Sequence, residues 1–240
     1  MIIHVALGVL RMFATVLGDL LLPHGCAGCG IPDAVLCGRC GSLFGDVHER
    51  PLGGHESCLT CAVYEGAVRH AILSWKDHGY EACDDRFADS LVTLVDGRIP
   101  PRGVCCVVPV PSSDKSIRRR GRWHTRQLSR AMVSLIRRRG REALLVPALC
   151  MRGNAGKSVE IGHGGQRVAR ANRRIHVRGR RQTLLRGRTV VVVDDIVTTG
   201  ATMARCANIL RRSGAGDVIC VALAHAVDRR HEGDRGEGHG

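Results

Sequence analysis

A chain of 240 residues, 44% apolar and only 3% aromatic, has the material for one full domain plus a smaller module, with a core expected to be aliphatic. It contains no run of about 18 uncharged apolar residues, which argues against a transmembrane helix. The net charge of +14 is uneven: between Ser112 and Val190, 22 Lys and Arg face three acids, and the remainder of the chain is net acidic.

In chain order, Met1–Pro23 carries apolar Val5, Val9, Met12, Val16 and Leu20 at helical spacing. Arg11 interrupts the run, and neither a basic leader nor a small-residue cleavage site frames it. An amphipathic helix packed on the body is therefore expected rather than a signal peptide, with a cytoplasmic location. That compartment argues against disulfides among the twelve cysteines.

Residues 24–61 are rich in Gly and Cys with little periodicity, as in a small module held by metal. Cys26-x2-Cys29 and Cys37-x2-Cys40 each place two thiolates on one knuckle, and two knuckles complete a tetrahedral structural Zn²⁺ site. A third pair, Cys58-x2-Cys61, supplies two more ligands than one zinc needs, so its pairing with an earlier knuckle stays open. The other six cysteines fall on expected strands or helices and read as small buried apolar groups.

Residues 62–227 alternate between the two periodicities. Helices are expected at Ala67–Trp75, Phe87–Val95, Arg126–Arg139 and Ala201–Arg212, the last closed by Ser213-Gly214. Short continuous apolar runs at Val104–Val110, Ala143–Val146, Thr189–Val193 and Val218–Leu223 suit buried parallel strands. The fold class is α/β, a parallel sheet flanked by helices. Residues 228–240 are a charged, Gly-rich tail expected to be disordered.

The segment richest in chemistry is Val190–Thr202, VVVVDDIVTTGAT. In a parallel sheet, ligands sit beyond the carboxyl ends of the strands. Backbone N–H groups at the start of the following helix, with the positive end of its dipole, bind an anion there. Gly200 lets the backbone approach closely, and Thr198, Thr199 and Thr202 add hydroxyl donors. Asp194 and Asp195 suit a sugar's vicinal hydroxyls. The plainer alternative, local capping by Asp and Thr, suits a lone residue better than this run. Neither G-x-x-x-x-G-K-[ST] nor G-x-G-x-x-G occurs.

This run resembles the ribose-5-phosphate motif of type I phosphoribosyltransferases. The resemblance implies that Asp194 and Asp195 hold the ribose of phosphoribosyl pyrophosphate, and that Thr198–Thr202 hold its 5′-phosphate. A wider resemblance takes in most of the chain. Paired CxxC motifs, then Tyr64-Glu65-Gly66 with Arg69 and Lys76, then VPVPSS with Arg118-x-Arg120-Gly121, then the Asp-Asp loop, are similar in order to the ComF/GntX family. That family joins a zinc module to a phosphoribosyltransferase fold and includes competence-associated proteins. The resemblance favours the first two CxxC pairs as zinc ligands. It also implies Mg²⁺ with the pyrophosphate if the protein is active, and single-stranded DNA and DNA-uptake proteins as partners. Two departures stand out. Arg122, Trp123 and His124 occupy a place where relatives often carry Phe-Asn-Gln, and Ser158 and Arg170 stand in a stretch, 158–176, where relatives hold Gln and Asn.

The basic loops leave three readings. Ser112 and Ser113 end an expected strand, so they share a rim with the Asp-Asp loop, and Lys115, Arg118 and Arg120 can offset the charge of a departing pyrophosphate. Arg118–Arg122 and Arg137–Arg141, together with Arg173, Arg174, Arg178, Arg180 and Arg181, can grip a nucleic-acid backbone, although Trp123 is the lone aromatic for stacking. A solvated face is the third reading. The scarcity of acids weighs against it, whereas the rarity of lysine (Lys76, Lys115 and Lys157) shows only that Arg has replaced Lys. Lys76 is carried as a catalytic or ligand residue against an equal case for a surface lysine with a packed stem.

Overall fold

The four valines before the paired acids show how the sheet is built. In a strand, successive side chains point to opposite faces. Val191 and Val193 pack into one apolar cluster, and Val190 and Val192 into another on the opposite face. Both faces are covered by helices, which is why the run is continuously apolar rather than alternating.

The computed structural model describes residues 25–53, 56–151 and 175–227. The expected N-terminal helix, the tail from Asp228 and nearly all of the 158–176 stretch lie outside them. In chain order the described elements are α1 (Gly38–Ser42), β1 (His48–Gly53), β2 (Glu56–Val63), α2 (Gly66–Asp77), α3 (Cys83–Val95), β3 (Cys105–Pro109), α4 (Asp114–Arg120), α5 (His124–Arg138), β4 (Ala143–Leu145), β5 (Leu149–Met151), β6 (Ile175–Val177), α6 (Gly179–Gln182), β7 (Val190–Val197), α7 (Ala201–Arg212) and β8 (Val218–His225). Six strands form one sheet in the order β1-β2-β8-β7-β3-β4. Only β1 is antiparallel to its neighbour. β5 and β6 form a separate two-stranded antiparallel ribbon. The chain is thus an α/β fold with a mainly parallel sheet flanked by helices.

Helices α2, α3 and α5 cover one face. Their buried Ile72, Trp75, Phe87, Leu91, Leu128 and Met132 pack on Val191, Val193, Val221 and Leu223. The few aromatics are gathered here rather than replaced by aliphatics: Trp75 meets Phe87 edge-on at 5.3 Å, and Phe44 tilts against Phe87 at 5.0 Å. On the other face Met203, Cys206 and Leu210 of α7, with Leu149 and Ile175 of the ribbon, pack on Val190, Val192 and Ala222. Fully burying one such aliphatic side chain is worth about 1.5–3 kcal/mol.

The expected helices appear with ends shifted by a few residues, and the four expected strands appear with β7 and β8 extended. Two differences matter. β7 runs on through both aspartates to Val197. β2, most of which the sequence places in a cysteine module ending at residue 61, instead pairs in parallel with β8 and runs past that residue. The cysteines of ESCLTCAV hid an apolar strand. Among the described residues no helix is long and apolar enough to cross a membrane.

Candidate functional site

Because β2, β3, β7 and β8 are parallel, the loops leaving β2, β3 and β7 emerge at one edge. β7 turns into α7 through Thr198, Thr199 and Gly200. Gly200 is buried and takes φ +74, and a Cβ on it would lie 2.7 Å from Leu52 Cδ2. Only glycine meets both demands. The turn opens a cavity of about 50 Å³ lined by Asp194, Ile196 and Val197 and by the loop Thr198–Met203. Thr198, Thr199 and Ala201 are exposed and Thr202 half-buried. The helix start and its hydroxyls therefore present an anion with several donors.

The two acids leave the strand toward opposite faces, although their carboxyl groups stay within reach of one another. Extension of β7 through them puts Asp194 on the Val190/Val192 face, with the cavity, and Asp195 on the Val191/Val193 face. Asp195 is 5% exposed. Its Oδ2 is paired with Lys76 Nζ and lies 3.2 Å from His124 Nε2, and its Oδ1 accepts the Ile196 N–H at 2.9 Å. Burial pushes this carboxyl up, but the His124 hydrogen bond and the Lys76 charge outweigh it and hold Asp195 well below the usual carboxylate range. Asp194 is held well above that range by burial and by the neighbouring Asp195 charge. Its Oδ1 accepts the Asp195 N–H at 2.9 Å. One carboxylate is a fixed anion, while the other resists ionisation until something cationic or hydrogen-bonding reaches it.

Lys76 is not a free surface lysine. It sits in the last turn of α2 between buried Trp75 and Asp77. Trp75 donates to Asp84 at 2.6 Å and meets the His124 ring edge-on at 5.2 Å. Arg122, 8% exposed, pairs with Asp84 and Glu81 and lies 6.0 Å from the centre of the Trp75 ring. Buried Nδ1 of His124 has no hydrogen-bond partner among the described residues.

Sequence reasoning marked Arg122–His124 as a departure from relatives but did not assign His124 to the site. Its signal was there: a histidine three residues beyond Arg-Gly, opening a helix whose buried face lies on β3 and β7. Asp77 was also missed. It accepts from Arg120 Nε at 2.7 Å and from Arg119 at 3.4 Å. Burial works against its charge, but these guanidiniums and Lys76 bring Asp77 below its ordinary value.

Ser113 caps α4, accepting the Ser116 N–H at 3.2 Å and donating to Ser116 Oγ at 2.9 Å; Ser112 beside it is half-buried. Lys115 and Arg118 are exposed on α4, whereas Arg120 is tied to Asp77. Trp123 is half-buried, and its Nε1 donates to the Val110 carbonyl at 3.2 Å and to Thr125 Oγ1 at 2.7 Å. That anchors the start of α5 to the end of β3 and is a structural use of the ring.

At the N-terminal end, one ligand atom each from Cys26, Cys29, Cys37 and Cys40 lies within 4.8 Å of the others. Cys29 and Cys37 Sγ are 3.7 Å apart. Thiolates about 2.3 Å from a zinc ion would be about 3.8 Å apart, so the four sulfurs fit a tetrahedral ion. Burial opposes the Cys26 thiolate, but backbone N–H groups, Cys37's at 3.3 Å among them, bring its thiol down to about 6. Cys58 and Cys61 do not join this group. They lie on β2, buried on opposite faces of the sheet, since three residues of strand reverse the side-chain direction. On opposite faces, the two sulfurs of this CxxC cannot share one ion as the alternative pair of ligands.

A parallel α/β sheet with a left-handed glycine turn opening a helix at its carboxyl edge is the class that fold and site define. Residues 152–238 match the family model described as a phosphoribosyl transferase domain. A 41-residue stretch is 51% identical to the ribose-phosphate pyrophosphokinase of Pyrococcus abyssi, spanning 17% of this chain and 14% of that protein. Among solved structures, the adenine phosphoribosyltransferase of Saccharomyces cerevisiae is 11% identical over 76% of this chain and 84% of its own, with a TM-score of 0.37. The hypoxanthine phosphoribosyltransferase of Trypanosoma cruzi is 14% identical over 62% and 65%, with a TM-score of 0.35. An allosteric regulatory enzyme of purine biosynthesis is 18% identical over 60% of this chain, with a TM-score of 0.36. This chain spans 26% of that enzyme's length.

Proposed function

We propose that this chain binds phosphoribosyl pyrophosphate, or a related ribose-5-phosphate ligand, at Asp194–Thr202, and that as an enzyme it transfers the phosphoribosyl group. The observation that carries this reading is the left-handed turn at Gly200. It converts the carboxyl end of a buried parallel strand into a helix start lined by threonines and one carboxylate. The N–H groups and hydroxyls of Thr198–Thr202 take the 5′-phosphate. Asp194, on the cavity side, takes a ribose hydroxyl.

Asp195 acts from the opposite face: it fixes Lys76 and His124 rather than gripping the sugar. Exposed Lys115 and Arg118 supply positive charge for the pyrophosphate as its bond to the ribose breaks, whereas Lys76 is already paired with Asp195 and contributes less. Arg120 contributes less, since Asp77 already holds it. Asp194 and the ligand's own pyrophosphate oxygens are the groups that would hold Mg²⁺, which would neutralise the departing charge. The four-cysteine cluster is read as a structural zinc site that orders residues 25–42.

The direct test is calorimetric titration of phosphoribosyl pyrophosphate with Mg²⁺ into zinc-loaded protein, wild type, Asp194→Asn and Thr199→Val. Binding weakened at least about tenfold in each variant is expected, which corresponds to about 1.4 kcal/mol. Absence of binding to wild type refutes the reading.

A second reading rests on the exposed arginines of α4, α5 and α6, among them Arg118, Arg119, Arg130, Arg138 and Arg180. In it the chain is a non-enzymatic adaptor for single-stranded DNA, working with DNA-uptake proteins in the cytoplasm. Its signature is oligonucleotide affinity that falls steeply with salt. Retention of that affinity after these arginines are replaced by Gln would count against it.

A further inference from the structure

All twelve cysteines lie among the described residues, and their surroundings divide them. Four form the N-terminal cluster. Seven more are buried on β2, α3, β3, α7 and β8. Burial raises the thiols of all seven, with Cys61, Cys83, Cys105 and Cys220 pushed up to about 12. Such thiols behave as small inert apolar groups. Cys150 is left, half-buried and outside the cluster.

Cys150 is paired with a base. Its Sγ lies 3.1 Å from His176 Nε2. The two residues are direct partners across the β5–β6 ribbon, so the pleat puts both side chains on one face. Leu149 and Ile175, one step away on each strand, are buried in the core shared with Met203 of α7. Cys150 and His176 therefore occupy the ribbon's outer face, where a group added to sulfur displaces no core side chain.

The stretch of chain around them is basic. Arg178 N–H donates to the Ala148 carbonyl at 2.9 Å and Arg181 to the Pro147 carbonyl at 3.0 Å, which holds two arginines beside the ribbon. From Ala143 to Val193 the sequence holds a single acid, Glu160.

We propose that Cys150 and His176 form a nucleophilic thiol site that is modified by low-molecular-weight disulfides. His176 Nε2 takes the thiol proton, and the resulting thiolate attacks one sulfur of the disulfide. A bond from Sγ to that sulfur forms as the disulfide's own S–S bond breaks, and the second sulfur leaves as a thiolate that takes up a proton. Cys150 is oxidised and the released thiol reduced by the same two electrons, so excess thiol reverses the step. Neither residue lines the cavity at the Asp194–Thr202 loop, and the reaction does not depend on what binds there.

The experiment uses full-length, zinc-loaded protein treated with dithiobis(nitrobenzoate), and in parallel with oxidised glutathione followed by peptide mapping. One fast equivalent per chain is expected, mapping to Cys150 and absent from Cys150→Ser. A free thiol is only a few per cent ionised at neutral pH, so losing the base in His176→Gln or His176→Asn should slow that equivalent about tenfold. The gap should close in alkaline buffer, where the thiol ionises unaided. Two His176 variants guard against one that misfolds. A fast equivalent that survives Cys150→Ser, that maps to Cys29 or Cys37, or that reacts as fast without His176 overturns the proposal.

Discussion

Replacing Asp195 by Asn should cost far more stability than the same change at Asp194, although the residues are adjacent and chemically identical. Asn keeps the shape and a carbonyl acceptor, so each variant reports mainly on charge. At Asp195 the charge is the counter-ion for Lys76 and the acceptor for His124, all within a site from which water is largely excluded. Removing one partner of a buried ion pair strands the other, at a cost of about 3–5 kcal/mol. At Asp194 burial and the Asp195 charge already oppose ionisation. Deleting that charge should therefore cost under about 1 kcal/mol, or stabilise, because the repulsion disappears.

Urea unfolding of the zinc-loaded proteins at pH 7 separates the two, provided the denaturant slope stays constant. For Asp195→Asn the loss corresponds to a fall in melting temperature on the order of 10 °C. The pH dependence supplies a second reading with opposite signs. The folded-state pKa of Asp195 is depressed, so its contribution is present above the unfolded value of about 3.9 and is lost as pH falls through the folded value. The folded-state pKa of Asp194 is raised, so its contribution is present below the unfolded value and lost as pH rises through the folded one. Asp194→Asn should thus flatten the decline in stability toward neutral pH. Equal losses for the two variants, or a larger one at Asp194, would refute the assignment of the acids to opposite faces with opposite roles.

Gly200→Ala should destabilise by about 1–2 kcal/mol from the left-handed backbone alone, plus the cost of moving Leu52. A double-mutant cycle with Leu52→Ala, read by the same urea unfolding, should return the second part only. At the N-terminal cluster, elemental analysis should find about one zinc per chain, absent from Cys29→Ser/Cys40→Ser and retained in Cys58→Ser/Cys61→Ser. The second double variant should instead lose stability, because its cysteines are core side chains of β2.

Much of the site was legible from residue order alone. A strand-like run of valines, two acids, Thr-Thr-Gly-Ala-Thr and a helical pattern is local information: propensity, turn chemistry and helix start all agree within thirteen residues. The four-cysteine cluster was legible for the same reason, since each knuckle and the short span between knuckles are local. The end of β7 was not. Whether a strand stops before two aspartates or carries them depends on whether β8 continues alongside, and Asp194 pairs with Ala222 in that neighbour. That single extension decides that the acids face opposite sides.

The partners of Asp195 were beyond sequence for a related reason. Lys76 and His124 lie 119 and 71 residues away along the chain, and nothing in their local patterns distinguishes a lysine with a packed stem from one held on a buried carboxylate. The role of Cys58 and Cys61 was also tertiary. A CxxC reads as a metal knuckle wherever it occurs, until strand pairing turns its two sulfurs to opposite sides of a sheet. Sequence by itself determined the alternation of strands and helices, the turn at Gly200 and the cysteine knuckles, because these are set within a few residues. Only the folded sheet decided which side chains share a face, because that depends on pleat, register and neighbours far away in the chain.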